Sequence, residues 1–281
     1  MQKIALITDS ACDLDLNTLK ENNINLLPLR IIYSNGDYRD RIDISPQEVY
    51  DNLEKEVPKT SLPSAQETEE ILNKLEEEEY THVICISISS GLSGSFNALR
   101  LALEDHPKLT SFVYDSKILA YPQGEIVLEV AKLIKEGKSY EEIVREIPEI
   151  RKRVIGYFTI NTLEYLKRGG RIGRLAGTVG ELLNLKPIIT TDEDGVYYNV
   201  AKVRGRKQSL SKMTELLKGY LAKGKCEVAV LHAGCEDEAI KYMNSLKDLT
   251  NVVSIKIAEI SPALGIHGGP GLIGFSVKMV K

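Results

Sequence analysis

Hydroxyl groups set between glycines mark the first stretch of this chain suited to chemistry. Residues 89–96 read Ser-Ser-Gly-Leu-Ser-Gly-Ser-Phe. Glycines let a ligand approach the backbone, and a helix starting here would aim unpaired N–H groups and its positive dipole end at an anion. A carboxylate or a phosphate suits that arrangement. A tight turn with capping serines has the same composition. Thr60-Ser61-Leu62-Pro63-Ser64 is a second hydroxyl-rich stretch, in which Ser64 reads as a helix cap while Thr60 and Ser61 have no capping duty. Lys167-Arg168-Gly169-Gly170-Arg171-Ile172-Gly173-Arg174 is basic and glycine-rich. A solvated charged face does not need those glycines, whereas a backbone nest with guanidinium groups suits a phosphate. Lys202, Arg204, Arg206 and Lys207 form a second basic cluster, and the two together would face an anionic cofactor or an acidic partner. Gly265-Ile266-His267-Gly268-Gly269-Pro270-Gly271 embeds a histidine with little side-chain packing beside it in sequence. His82 and His106 read as strand-edge and loop residues, and His232 ends a strand.

Elements must hold these stretches in place. Residues 3–8, 25–33, 81–89 and 111–115 read as strands, and the helices between them start near residues 15, 46, 65 and 95. Ser45-Pro46-Gln47-Glu48, Ser64-Ala65-Gln66-Glu67 and Ser139-Tyr140-Glu141-Glu142 carry the capping-box spacing. Ile126, Val127, Val130, Leu133 and Ile134 repeat with helical period before Gly137. Strands separated by helices imply a parallel, Rossmann-like sheet covered on both faces, with ligands beyond the carboxyl ends of its strands. The second half has another rhythm. Strands are expected at 155–160, 186–191, 196–203, 227–232, 252–258 and 271–279, and helices at 162–167, 178–184, 208–222 and 236–247. Asp192-Glu193-Asp194-Gly195 between two strands predicts an antiparallel hairpin. The fold class is therefore α/β: an N-terminal parallel-sheet domain, 1–156, and a C-terminal α+β domain with a mixed or antiparallel sheet, 157–281. A ligand cleft is expected between them.

At 281 residues two cores are the default. A hydrophobic content of 43% with 27% charged residues is that of a folded globular protein, and a net charge of −4 disfavours a general nucleic-acid or anionic-membrane surface. Met1-Gln2-Lys3 leads straight into a strand-like run, and no stretch of about 20 apolar residues follows. A cytoplasmic location without stable membrane insertion is expected. Cys12, Cys85, Cys226 and Cys235 form no C-x-x-C pair and no zinc spacing, and Cys12 is the thiol beside a site loop. The sequence lacks G-x-x-x-x-G-K-[ST], a G-x-G-x-x-G after a strand, and H-E-x-x-H, which weakens NTPase, dinucleotide and zinc-protease readings.

Taken together, Asp9-Ser10 with Asp13-Leu14, Thr60-Ser61-x-Pro63-Ser64, Ser90-Gly-Leu-Ser-Gly-Ser95, Gly170-Arg-Ile172 and His267-x-Gly-Pro-Gly271 resemble the DegV family of bacterial fatty-acid-binding proteins, over essentially the whole chain. The resemblance implies a non-enzymatic lipid carrier holding a long-chain fatty acid such as palmitate, stearate or oleate between two domains. It implies that Ser61 and Ser93 hold the carboxylate, and that Arg171 and His267 lie near the head group. With Thr60 and Gly94 these make the expected ligand-binding set. It further implies a separate ATP-binding fatty acid kinase subunit, which phosphorylates the bound acid for phospholipid synthesis. No cofactor or metal is expected beside the lipid. Leu62 stands where the family often has Gln, and Gly268 where it often has Thr.

Each buried CH₂ contributes about 0.8 kcal/mol, so about 14 of them give roughly 11 kcal/mol, against an association cost of about 4–15 kcal/mol. Affinity should then depend on chain length and on a pre-formed tunnel. Val179, Leu182, Leu183, Leu185, Ile188 and Ile189 are either tunnel lining or ordinary core. A serine esterase using Ser93 and His267 is the alternative from another class, although Gly91-Leu-Ser93-Gly-Ser95 lacks the last glycine of G-x-S-x-G. A phosphate-ester or nucleotide-binding module, resting on the basic clusters, is a third.

Overall fold

A computed structural model describes residues 2–178 and 185–281. The first half holds strands β1 (Ile4–Asp9), β2 (Ile24–Leu27), β3 (Arg30–Tyr33), β4 (Gly36–Arg39), β5 (Lys59–Ser61), β6 (His82–Ser87) and β7 (Thr110–Asp115). Its helices are α1 (Leu16–Glu21), α2 (Pro46–Asn52), α3 (Ala65–Glu77), α4 (Ser95–Ala102), α5 (Tyr121–Lys135) and α6 (Tyr140–Lys152). The second half holds β8 (Val154–Thr159), β9 (Leu185–Thr191), β10 (Tyr197–Arg204), β11 (Cys226–His232), β12 (Val252–Glu259) and β13 (Ile273–Met279). Its helices are α7 (Glu164–Arg168), α8 (Arg206–Leu221), α9 (Glu236–Leu246) and α10 (Pro262–Gly268).

The N-terminal sheet has the order β2-β1-β6-β7, every pair parallel. Its central strands β1 and β6 are buried along nearly their whole length, as strands covered on both faces must be. The C-terminal sheet runs β10-β9-β8-β13-β11-β12, antiparallel throughout except for β11 with β12. Membership passes from one sheet to the other between α6 and β8, at Val154. Helix α5 packs on β1 and β6 on one side and on β8 and β13 on the other, so one apolar cluster runs through both halves.

A third sheet, β4-β3-β5, antiparallel, was not expected. The run 25–33 looked like one strand, but the chain breaks at Pro28, which has no N–H for a ladder. Residues before the break join the parallel sheet and those after it start the small one. The expected capping boxes at Ser45 and Ser139 are complete. At Ser64 only half forms: the hydroxyl accepts from the Glu67 N–H, while the Glu67 carboxylate turns to Arg30 at 3.2 Å. Helix α10 was also not among the helices expected in the second half. Pro262 opens it, and Gly265 is needed beside Tyr50, whose Oη would lie 2.5 Å from any Cβ there. The helix expected at 178–184 lies largely outside the described residues, as do Val179, Leu182 and Leu183.

Candidate functional site

The parallel sheet has its switch point between β1 and β6, and the loops leaving the carboxyl ends of those strands start the site. The loop after β6 carries Ser89 to Gly94. Its first residues are held by the buried Asp9 carboxylate at the end of β1, which accepts from the Ile88 N–H at 2.8 Å and the Ser87 hydroxyl at 3.1 Å. The Gln123 amide donates to the other oxygen at 3.0 Å. Burial pushes the Asp9 pKa up, and these donors work against that push. Further along, the Ser89 hydroxyl donates to the Gly195 carbonyl at the β9–β10 hairpin, 2.8 Å away. Gly91 has to be small, since a Cβ would lie 2.8 Å from that carbonyl oxygen. Ser93 Oγ accepts from the Ser95 N–H at 3.3 Å and shares a 2.9 Å hydrogen bond with Ser95 Oγ. It thus satisfies the first N–H of α4, in keeping with the capping serines that the composition of this loop allowed.

Strand β5 carries Thr60 and Ser61 on one edge of the small sheet, with Thr60 opposite Ile31 and Ser61 opposite Arg30. Thr60 Oγ1 lies 2.8 Å from His267 Nε2. His267 comes from the last turn of α10. Enclosure of its ring, and secondarily the charge of Arg171, push its pKa down to about 4. The imidazole is therefore neutral at pH 7 and works as a hydrogen-bonding group and not as a cation. Its Nδ1 is buried with no partner among the described residues. Gly169 leaves room for the ring, because a Cβ there would lie 2.0 Å from Nδ1. Arg171 donates to the Gly169 carbonyl at 2.7 Å and to the Leu92 carbonyl at 3.3 Å, which fixes the guanidinium beside the serine loop.

Thr60, Ser61, Ser93, Arg171 and His267 thus come together, from four separate stretches, around one chamber of about 210 Å³. Gly94 does not line it; it is exposed and its Cα sits against the Leu62 side chain, which does line the chamber. The remaining wall is Leu29, Ile88, Leu92, Leu119, Tyr197, Ala263 and Leu264. Leu119, Tyr197 and Leu264 are shared with a second, narrower space of about 50 Å³ between the segment that leads into α5 and the C-terminal half. That slot is walled by Ala120 and Pro122 from the N-terminal half and by Phe158, Leu166, Leu231 and Leu272 from the C-terminal half. A chamber with a cluster of polar groups on its wall, next to an apolar slot, is an arrangement suited to an amphiphile with an anionic head.

Leu119, Tyr197 and Leu264 had no signal in the sequence, where lining and core residues look alike. Ile188 and Ile189, offered as tunnel lining, are fully buried core and touch neither space; the neighbouring Thr190 and Thr191 reach the slot. Most of the basic residues face elsewhere. Arg168 pairs with Glu164 at 2.8 Å, Arg174 with Asp194 at 2.7 Å, and Arg206 with Glu238 at 2.8 Å. Of the first cluster only Arg171 reaches the chamber among the described residues. Cys12 is fully buried and its thiol is pushed up to about 12, which leaves it unreactive. The esterase geometry is not formed: Ser93 bonds to Ser95, His267 to Thr60, and no carboxylate orients the imidazole. Among the described residues no cluster of three or more side chains has metal-binding geometry, and no helix is long and apolar enough to cross a membrane.

Known proteins share this arrangement. The family described as "Uncharacterised protein, DegV family" matches residues 3–279. A DegV domain-containing protein of Clostridium perfringens is 50% identical over 278 residues, covering 99% of each chain. Among solved structures, DegV of Bacillus subtilis, described as a fatty acid binding protein, is 31% identical with a TM-score of 0.92 and full coverage of both chains. A stearic-acid-binding protein of Eubacterium ventriosum is 28% identical with a TM-score of 0.88, covering 99% of this chain and 98% of its own. With its parallel and mixed sheets, its chamber and a match along nearly its whole length, the chain belongs to the DegV family.

Proposed function

We propose that this protein binds one long-chain fatty acid, palmitate, stearate or oleate, with its carboxylate at Ser61, Ser93 and Thr60 and its chain in the slot between the two halves. The observation that carries this reading is that the chamber and the slot lie side by side, sharing Leu119, Tyr197 and Leu264 as wall. It gives one molecule a polar end and an apolar end at once. The 50 Å³ slot has room for only a few water-sized molecules. An acyl chain would therefore have to part Pro122 and Ala120 from Phe158 and Leu272, and chain length would set the area gained against that cost. The relatives described as fatty-acid-binding support the same ligand class. The test is denaturing mass spectrometry of the purified protein together with thermal melts in added palmitate or oleate. Failure to find lipid, with no rise in Tm, would remove the carrier role.

The same reading includes a separate ATP-dependent fatty acid kinase subunit as partner. Phosphorylation of the bound carboxylate raises its negative charge. Arg171, held beside the serine loop by two backbone carbonyls, would stabilise the product charge more than the starting acid, which is the condition for assisting the step. Neutral His267 would contribute a hydrogen bond through Nδ1, the atom that has no protein partner among the described residues. With ATP and magnesium the isolated protein should make no acyl phosphate, and with the kinase subunit it should. Arg171→Ala and His267→Ala should lower the partner-dependent rate more than fatty-acid affinity. Normal phosphorylation in both variants, or acyl phosphate made by the protein alone, would overturn this assignment.

A further inference from the structure

The turn Asp9-Ser10-Ala11-Cys12-Asp13 lines neither the polar chamber nor the apolar slot, yet its side chains reach both halves of the site. Asp9 holds the start of the serine loop through the Ile88 N–H at 2.8 Å. From the other end of the turn, Asp13 accepts from the Ser261 N–H at 2.9 Å. Ser10 donates to Asp40 at 2.5 Å, and the second Asp40 oxygen accepts from the Ala263 N–H at 2.9 Å. Arg41 joins Asp13 at 3.2 Å to the Glu259 carbonyl at 2.6 Å, on the strand that leads into α10. Asp13 and Asp40 are buried, so water cannot replace these acceptors.

We infer that this turn, with Asp40 and Arg41, is a bracket that sets the Ser93 loop and the His267 helix at a fixed separation, so that Asp40 and Asp13 are positioning residues for the head-group site. Asp40 directly follows β4, which pairs with β3, and β3 pairs with β5, the strand that carries Thr60. The small sheet therefore grips α10 at its first turn through Asp40 and at its last turn through Thr60 and His267. Releasing the first grip lets α10 shift along its axis, and His267 moves with it. This inference rests on the proposed head-group role of the chamber, but the position of His267 can be measured without any lipid.

The experiment compares Asp40→Ala and Asp40→Asn in protein labelled with ¹⁵N-histidine. Asparagine keeps an acceptor oxygen for Ala263 and offers an N–H to the Ser10 oxygen. Asp40→Ala should move the His267 ring resonances and weaken palmitate binding about 5–20-fold, less than the roughly 10–150-fold of a hydrogen bond lost directly at the charged head group. Asp40→Asn should restore both to within about twofold. A loss of Tm alone, with ring signals or palmitate affinity unchanged in folded Asp40→Ala, would overturn the bracket, as would Asp40→Asn behaving like Asp40→Ala. Should Asp40→Ala not fold, Ser10→Ala removes the hydroxyl that fixes Asp40 and that accepts from the Leu29 N–H at 3.0 Å; Ser10→Thr, which keeps that hydroxyl, should then restore the His267 signals that Ser10→Ala moves, and unmoved signals in Ser10→Ala would overturn the bracket. If the wild-type protein does not bind palmitate, the lipid reading fails, and the ring signals alone still decide the bracket.

Discussion

Replacing Glu125 by Gln should leave the protein about as stable as wild type at pH 4.5 and markedly more stable at pH 9. Glu125 lies on α5, fully buried against β13, and accepts a hydrogen bond from Ser276 Oγ. Burial is the main cause that pushes its pKa up to about 8, with Glu227 adding to it and Ser276, Lys278 and Lys256 opposing. Lys278 offers little relief, because it already bonds Glu129 at 2.6 Å and Glu227 at 3.1 Å. In the unfolded chain the same carboxyl titrates near 4.5. Between these values the folded state holds a proton that the unfolded state has lost, so stability falls as pH rises from about 4.5 to about 8 and is then level. At about 1.4 kcal/mol per unit the window amounts to roughly 3–5 kcal/mol. Glutamine is neutral at every pH and keeps the acceptor for Ser276. Taking about 2–4 °C of Tm per kcal/mol for a chain of this size, the variant should melt roughly 6–20 °C above wild type at pH 9. Melts of both proteins across pH 4.5–9 test this, since all other titrating groups cancel in the difference. Parallel profiles would show that Glu125 is not neutral in the folded protein, and the burial argument would fall.

Three further outcomes follow from the site. Ser93→Ala should weaken fatty-acid binding roughly 10–150-fold and, because Ser93 Oγ accepts from Ser95 N–H, also lower stability by about 1 kcal/mol; Ser61→Ala should weaken binding less and leave the melt unchanged, as fluorescent fatty-acid titration and melts would show. His267 should titrate near pH 4 in an NMR pH series, so a midpoint above 6 would contradict the enclosure and the Arg171 charge invoked for it. Gly169→Ala should displace the His267 ring, because its Cβ would fall 2.0 Å from Nδ1, while the backbone at 169 is ordinary right-handed helix and tolerates alanine. Unmoved His267 signals in that variant would show that the ring is held by something other than the space above Gly169.

Period and capping chemistry are local, and the elements they specify were legible from residue order alone. The buried runs of β1 and β6 and the boxes at Ser45 and Ser139 all have causes within a few residues. That Thr60, Ser61, Ser93, Arg171 and His267 belong around one chamber was legible through a motif set in fixed order, not through geometry. What the tertiary structure decided is everything that depends on residues far apart in the chain. Nothing near Pro28 says that its flanks belong to different sheets, because that depends on β5, some 30 residues on, pairing with β3. Nothing among the glycines around 265 announced a helix, since what they make room for is the Tyr50 ring from far along the chain. The charge state of His267 was open in the sequence, and it is neutral because enclosure and a neighbouring guanidinium act through space. The Asp9 turn looked like part of the ligand site and is instead a brace, since its acceptors meet N–H groups 79 and 248 residues away. A residue's type and spacing set what it is able to do. Which polar atoms end up sharing a buried volume is fixed by the packing of sheets and helices, where an unmet donor or acceptor is costly enough to select its partner.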